Sequence, residues 1–161
     1  MAPIDVQLTE AQELNPLIRR LVLRAVDGAA LPDYAAGAHV RVRVDLPGGA
    51  SDWRHYSLVN PVADGRATCS PGQYVIAVRR EDEGRGGSRF MHGLPVGARL
   101  QIEPPRNDFP LTEHSGGVVL VAGGIGVTPL LSMAAELRAA GRDVRMVYAG
   151  RSRELMAFLP E

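Results

Sequence analysis

The stretch VVLVAGGIGVTPLLSM, Val118 to Met133, constrains the fold more than any other part of the chain. VVLVA is a short continuous apolar run, the pattern of a strand buried on both faces, and GGIG follows it without a spacer. Thr128 then offers a helix N-cap, and Pro129 takes the first helical position, where its missing N–H costs little. Leu130, Leu131, Met133, Ala134 and Leu137 continue at helical spacing, and Gly141 is placed to end the helix. DVRMVYAG, from Asp143, predicts a second buried strand, so the whole reads as one β-α-β unit. Ser152 is placed to cap a further helix begun by RELMAFL, which Pro160 and Glu161 close within about two turns. Two parallel strands with one crossover leave their faces poorly covered, so this unit is expected to be incomplete.

The preceding two-thirds follow a different grammar. Val40, Val42, Val44 and Leu46 alternate with Arg41, Arg43 and Asp45, the period-two signature of a half-buried strand, and Pro47-Gly48-Gly49 supplies the turn. LIRRLVLRAV (from Leu17), RHYSLVN (from Arg54), QYVIAVRR (from Gln73) and ARLQIEPP (from Ala98) predict further strands, and GGSRFMHGL predicts a short helix capped by Ser88. Short strands at regular spacing indicate an antiparallel barrel or sandwich. The expected division is 1–114 for the β unit and 115–161 for the start of an α/β unit.

At 161 residues, the chain has room for one sizeable core or one domain with part of another. Lys plus Arg, 18, balances Asp plus Glu, 18, so no basic field recruits nucleic acid. Cys69 is alone, which excludes an internal disulfide, a Cys-based zinc site and an iron–sulfur cluster built from this chain by itself. His39, His92 and His114 show no metal-ligand spacing. Neither a signal peptide nor a membrane-length apolar run is present, and a soluble cytoplasmic protein is expected.

Glycines 123, 124 and 126, between a strand and a helix start, let backbone N–H groups approach a phosphate at the positive end of a helix. Close packing is the alternative reason for such glycines, and binding is preferred. GRGGS, Gly84 to Ser88, is a second anion-site candidate, although by itself an ordinary flexible turn is the preferred reading. Two such loops point to two phosphorylated ligands. They also explain why WRHYSLVN crowds hydrogen-bonding residues into one strand: Arg54 pairs with a phosphate, Tyr56 lies along a flat ligand and Ser57 bonds a ring nitrogen.

Together these motifs resemble a known family. RHYS is similar to the flavin motif of the ferredoxin reductase superfamily, and AGGIGVTP to its nicotinamide-side loop. YVIAVRR, GRGGS, PRNDFPL and AGGIGVTPLLSM, in that order, narrow the resemblance to the phthalate dioxygenase reductase and vanillate demethylase reductase group. The resemblance implies a Greek-key flavin-binding β-barrel followed by the start of an NAD(P)-binding domain. It assigns Arg54 to the flavin phosphate, Tyr56 to the isoalloxazine and Ser57 to the neighbourhood of flavin N5, making Ser57 the catalytic candidate. Ala77, Val78 and Arg79 would edge the flavin through their backbone. Gly86, Gly87 and Ser88 would receive the phosphate, and Gly123, Gly124, Gly126, Thr128 and Pro129 would face the nicotinamide. His55 would touch the sugar chain, with solvent exposure an equal alternative.

The resemblance further implies FMN, preferred over the alternative FAD because no segment is clearly dedicated to adenine. It implies NADH or NADPH as electron donor, and an iron–sulfur domain or oxygenase component as acceptor. Arg151, Ser152 and Arg153 would favour NADPH if they read a ribose phosphate; a solvated helix start is the preferred reading. Complete members of the group continue through the rest of the nucleotide domain and a ferredoxin domain with four cluster cysteines. The expectation is therefore a fragment of a longer reductase, or else a flavin-binding module without independent turnover.

Overall fold

The computed structural model describes residues 2–59, 72–112 and 116–159. Cys69, His114, Pro160 and Glu161, considered above, lie outside the described residues. Six strands form one antiparallel sheet: β1 (Ile4–Asn15), β2 (Ile18–Ala25), β3 (His39–Asp45), β4 (Ser51–Ser57), β5 (Tyr74–Arg79) and β6 (Arg99–Ile102), in the order β4-β3-β6-β1-β2-β5. The sheet curls until its two edge strands, β4 and β5, approach each other. Just past β4, the Val59 amide donates to the Val75 carbonyl at 2.8 Å, which joins the edges at one end. The result is barrel-like and not fully closed, in line with the expected fold class.

Alternation explains the core. Val40, Val42 and Val44 of β3, Val6 and Leu8 of β1, Leu21 and Leu23 of β2 and Ile76 and Val78 of β5 point inward and are buried together. β1 was not among the predicted strands, although Ile4, Val6 and Leu8 alternate with polar residues. A register shift between Leu8 and Glu10 and the polar run after it break the pattern. Its turn is set by Asn15, whose Oδ1 accepts from the amides of Leu17 (3.0 Å) and Ile18 (2.9 Å).

Helix α1 (Gly87–Gly93) starts one residue before Ser88. Gly86 serves as its N-cap with φ +93°, so the expected Ser88 cap is replaced; the Ser88 hydroxyl instead accepts from the Glu81 amide at 3.0 Å. Arg19 holds the other end of α1, with Nη1 donating to the carbonyls of His92 (2.6 Å) and Leu94 (2.9 Å).

The second sheet pairs β7 (Val118–Gly123) with β8 (Val144–Ala149) in parallel, joined by α2 (Val127–Ala139). α2 covers the side bearing Leu120 and Ala122, but Val119 and Val121 on the other face are 60% and 70% exposed. The expectation of a strand buried on both faces fails here, because nothing among the described residues covers that side. Thr128 is not the helix cap either. Gly124–Gly126 form a 3-10 turn first, α2 starts at Val127, and the Thr128 hydroxyl donates to the Ile125 carbonyl at 2.9 Å. Pro129 falls third in the helix rather than first, still within the turn whose N–H groups lack helical acceptors. Gly141, at φ +70°, ends the helix as expected. No long helix follows Ser152: a 3-10 turn, Arg153–Leu155, gives way to a segment that lays Ala157 and Phe158 onto the outer faces of β2 and β5. Burying two apolar side chains there replaces the predicted helix.

Candidate functional site

The pairing of β4 with β3 decides which side chains share a face. Val40 lies opposite Tyr56 and Val42 opposite Arg54, so Arg54 and Tyr56 share the inner face of the sheet with the buried valines. His39 lies opposite Ser57 and Arg41 opposite His55, which puts His55 and Ser57 on the outer face. The motif is therefore split across the strand. A single ligand reaches both sets only along the free edge of β4, the edge that faces β5.

β5 offers a complementary edge. The Val75 carbonyl points away from β2 to accept from Val59, and alternation gives Ala77 and Arg79 the same outward-pointing N–H and C=O groups. The Ala77 side chain is buried among Ile18, Ala157 and Ile125, so the Gly124–Gly126 turn abuts β5 beside this edge. Val78 faces the core, and Arg79 pairs with Glu81 at 3.4 Å.

On the inner face of β4, Arg54 meets α1. A methyl group added at Gly87 would lie 2.9 Å from Arg54 Nε and 3.0 Å from its Cγ, so glycine is needed for the guanidinium to rest on the helix start. Arg54 Nη1 pairs with the Asp52 carboxylate and donates to the Trp53 carbonyl at 3.1 Å. Nη2 is buried without a hydrogen-bond partner. A buried N–H of a permanent cation left unpaired is costly, and an anion at this point would satisfy it. Residues of the flavin-phosphate assignment, Arg54 and Gly87, thus fit the group assigned to them. Gly86 adjoins them, its glycine required by positive φ and by Pro47 Cδ, 2.9 Å from where a methyl would stand. The Ser88 hydroxyl is engaged with Glu81. Burial pushes the Tyr56 phenol up to about 12, partly offset by Arg54, so it stays neutral at physiological pH.

The outer face carries a second feature, a cleft of about 290 Å³ lined by Gly37, His39, His55, Ser57, Asp108, Phe109 and Pro129. Ser57 and Pro129, from separate sequence motifs, meet here. His39 and His55 stack at 4.9 Å between ring centroids. Burial and the neighbouring His55 lower the His39 pKa, against a smaller opposing pull from Asp108, so His39 is neutral at pH 7. Gly37 has φ +91°, and a methyl there would stand 2.0 Å from the Phe109 carbonyl. Sequence reading missed Gly37, Asp108 and Phe109 as cleft residues and set His39 aside. PRNDFPL was the available signal: Asn107 Nδ2 donates to the Ala36 carbonyl at 2.9 Å and fixes that segment across the cleft.

Gly123, Gly124 and Gly126 differ from Gly37 and Gly87. A methyl at any of the three meets nothing within 4 Å, which removes internal crowding as their reason. Gly124 has φ +51°, which a side chain disfavours; the other two leave open backbone before α2.

No protein-family model matches the chain. Individual proteins do. The chain is 41% identical over 159 residues to the heme-dependent oxidative N-demethylase beta subunit of Ectopseudomonas mendocina, covering 98% of this chain and 48% of that protein. It is 44% identical over 136 residues to the phthalate dioxygenase reductase of Burkholderia cepacia, covering 83% and 39%. A solved phthalate dioxygenase reductase, described as a modular structure for electron transfer from pyridine nucleotides to a 2Fe-2S centre, superposes with a TM-score of 0.84 at 38% identity, covering 98% of this chain and 46% of that one. Over nearly its whole length the chain is therefore similar to the reductase components of oxygenase and demethylase systems, phthalate dioxygenase reductase among them. It spans about half the length of the curated relatives it matches. Among the described residues no helix is long and apolar enough to cross a membrane, and no cluster of three or more His, Cys, Asp or Glu side chains is placed to hold a metal ion.

Proposed function

We propose that this chain is the flavin-holding part of an NAD(P)H-dependent cytoplasmic reductase that serves an oxygenase or demethylase. Residues 1–114 hold the flavin, FMN in preference to FAD, and 115–161 begin the nucleotide domain. The observation that carries the reading is the buried, unpartnered Nη2 of Arg54 against Gly87. A bound flavin supplies the chemistry of accepting a hydride and passing on single electrons, which protein side chains do not perform. The residues supply the rest. Arg54 anchors the phosphate, and Tyr56 offers a neutral, half-buried ring on the inner face. Ala77 and Arg79 present backbone donors and acceptors, and Ser57 faces the cleft that Pro129 closes from the nucleotide side. The acceptor is an iron–sulfur domain or an oxygenase component, with its cluster outside this chain.

The test is optical. Purified protein incubated with FMN should retain a visible flavin spectrum through gel filtration, and anaerobic NADH or NADPH should bleach it. A folded protein that stays colourless with excess FMN and FAD sinks the proposal. One observation favours a second reading, a flavin module without turnover of its own: the exposed face of Val119, Val121 and Val147 shows a nucleotide-side sheet with one face uncovered. A retained flavin spectrum indifferent to both nucleotides would decide for it.

A further inference from the structure

We propose that Asp52 is an internal competitor for the anion held by Arg54, and so sets how tightly a phosphorylated flavin is retained. The choice of ligand rests on the function proposed above; the geometry does not. Asp52 and Arg54 are two residues apart on β4 and share its inner face. The Asp52 carboxylate takes Nη1 of Arg54, and its Oδ1 accepts from the Trp53 amide at 2.8 Å. A guanidinium grips phosphate best through two parallel N–H donors. With Nη1 committed to Asp52, a phosphate finds only the buried Nη2 among the terminal nitrogens, and it meets a like charge beside it.

Which anion yields is decided by packing. The Asp52 side chain is 46% exposed and that of Arg54 is 20% exposed. Arg54 is also wedged against Gly87, whereas the carboxylate is the partner more open to water. A phosphate monoester carries about −1.5 to −2 at neutral pH against a single charge on the carboxylate. The hydrogen bond from Arg54, with a lesser contribution from nearby Arg85, holds the Asp52 carboxyl below its usual range, so it is charged and competing at pH 7. An incoming phosphate at the same place would sense both guanidinium groups.

The experiment compares FMN with riboflavin, which has the same ring without the phosphate. Fluorescence titrations are run on the wild type, Asp52→Asn and Asp52→Glu. In parallel, inorganic phosphate is titrated against the Arg54 Nε–H resonance. Asp52→Asn should bind FMN up to about fivefold more tightly, the scale of one partly exposed ion pair released, with riboflavin unchanged. Asp52→Glu keeps the charge and should stay near the wild type. FMN affinity that is unchanged or weaker in Asp52→Asn overturns the proposal and shows that Asp52 orients Arg54 instead. If the wild type takes up neither flavin, the proposed function falls, and the phosphate titration still judges Asp52. An Arg54 resonance that moves at lower phosphate in Asp52→Asn sustains the competition; equal midpoints end it.

Discussion

The two sheets of this chain solve the burial problem to different extents. The antiparallel sheet curls until its edges approach, and its inward residues, Val40, Val42, Leu21 and Ile76 among them, are wholly buried. The parallel pair buries Leu120 and Ala122 under α2 yet leaves Val119, Val121 and Val147 in water. A curled sheet supplies its own second layer, whereas a parallel pair depends on helices for both faces. The residues proposed to hold a phosphate, Arg54, Gly86 and Gly87, belong to the self-sufficient sheet and the helix packed on it. The residues proposed to face a nucleotide, Gly124 and Pro129 among them, belong to the half that needs more cover.

That contrast is most open to attack through the core. Leu21→Ala removes a fully buried side chain and should cost about 2 to 5 kcal/mol, lowering the urea midpoint reported by Trp53, the single tryptophan. Leu137→Ala, equally chosen from a buried position but in α2, should chiefly speed hydrogen exchange of β7 and β8 amides, with a smaller shift of the Trp53 transition. Equal shifts would mean one cooperative unit and would erase the distinction.

At the ligand the same contrast predicts a division of labour. Arg54→Ala should weaken FMN by about 1.5 to 3 kcal/mol, roughly 10- to 150-fold, and leave riboflavin nearly untouched. Unchanged FMN affinity would remove Arg54 from the phosphate. Next in size, Gly87→Ala sets a methyl 2.9 Å from Arg54 Nε and should weaken FMN several-fold, by about 1 kcal/mol. Gly123→Ala, in open space at φ −124°, should leave both stability and FMN affinity within about 0.5 kcal/mol. Matching effects at the two glycines would show that the loops do not differ as the structure says.

How far the sequence could be read follows the same line. β3 was legible because Val40, Val42 and Val44 alternate cleanly and a Pro-Gly-Gly turn follows. β1 carries the same alternation for three residues, then loses it at a register shift that no composition marks. Arg54, Tyr56 and Ser57 were legible as a polar cluster, but their division between two faces depends on pairing with β3, which is set by tertiary contacts. Thr128 and Ser88 have the chemistry of caps, yet in both loops glycines turn the chain earlier and leave the hydroxyls other acceptors or donors. Arg19 looks like one of several strand arginines; its grip on the far end of α1 appears only once residues about 70 apart are brought together.

The smallest predicted effect lies where the two sheets join. Ser132, on α2, is fully buried and donates to the Leu58 carbonyl at 2.8 Å, immediately after Ser57. Ser132→Ala deletes that bond and should cost about 0.5 to 1.5 kcal/mol in the Trp53 transition. The contacts of Arg54, with Asp52, Trp53 and Gly87, do not involve α2, so FMN affinity should hold. Ser57 and Pro129 both line the cleft, and their spacing depends on how α2 sits against the end of β4. Reduction of bound flavin by NADH should therefore slow more than FMN affinity falls. Equal losses in both would mean that α2 supports the whole site rather than the nucleotide side of it.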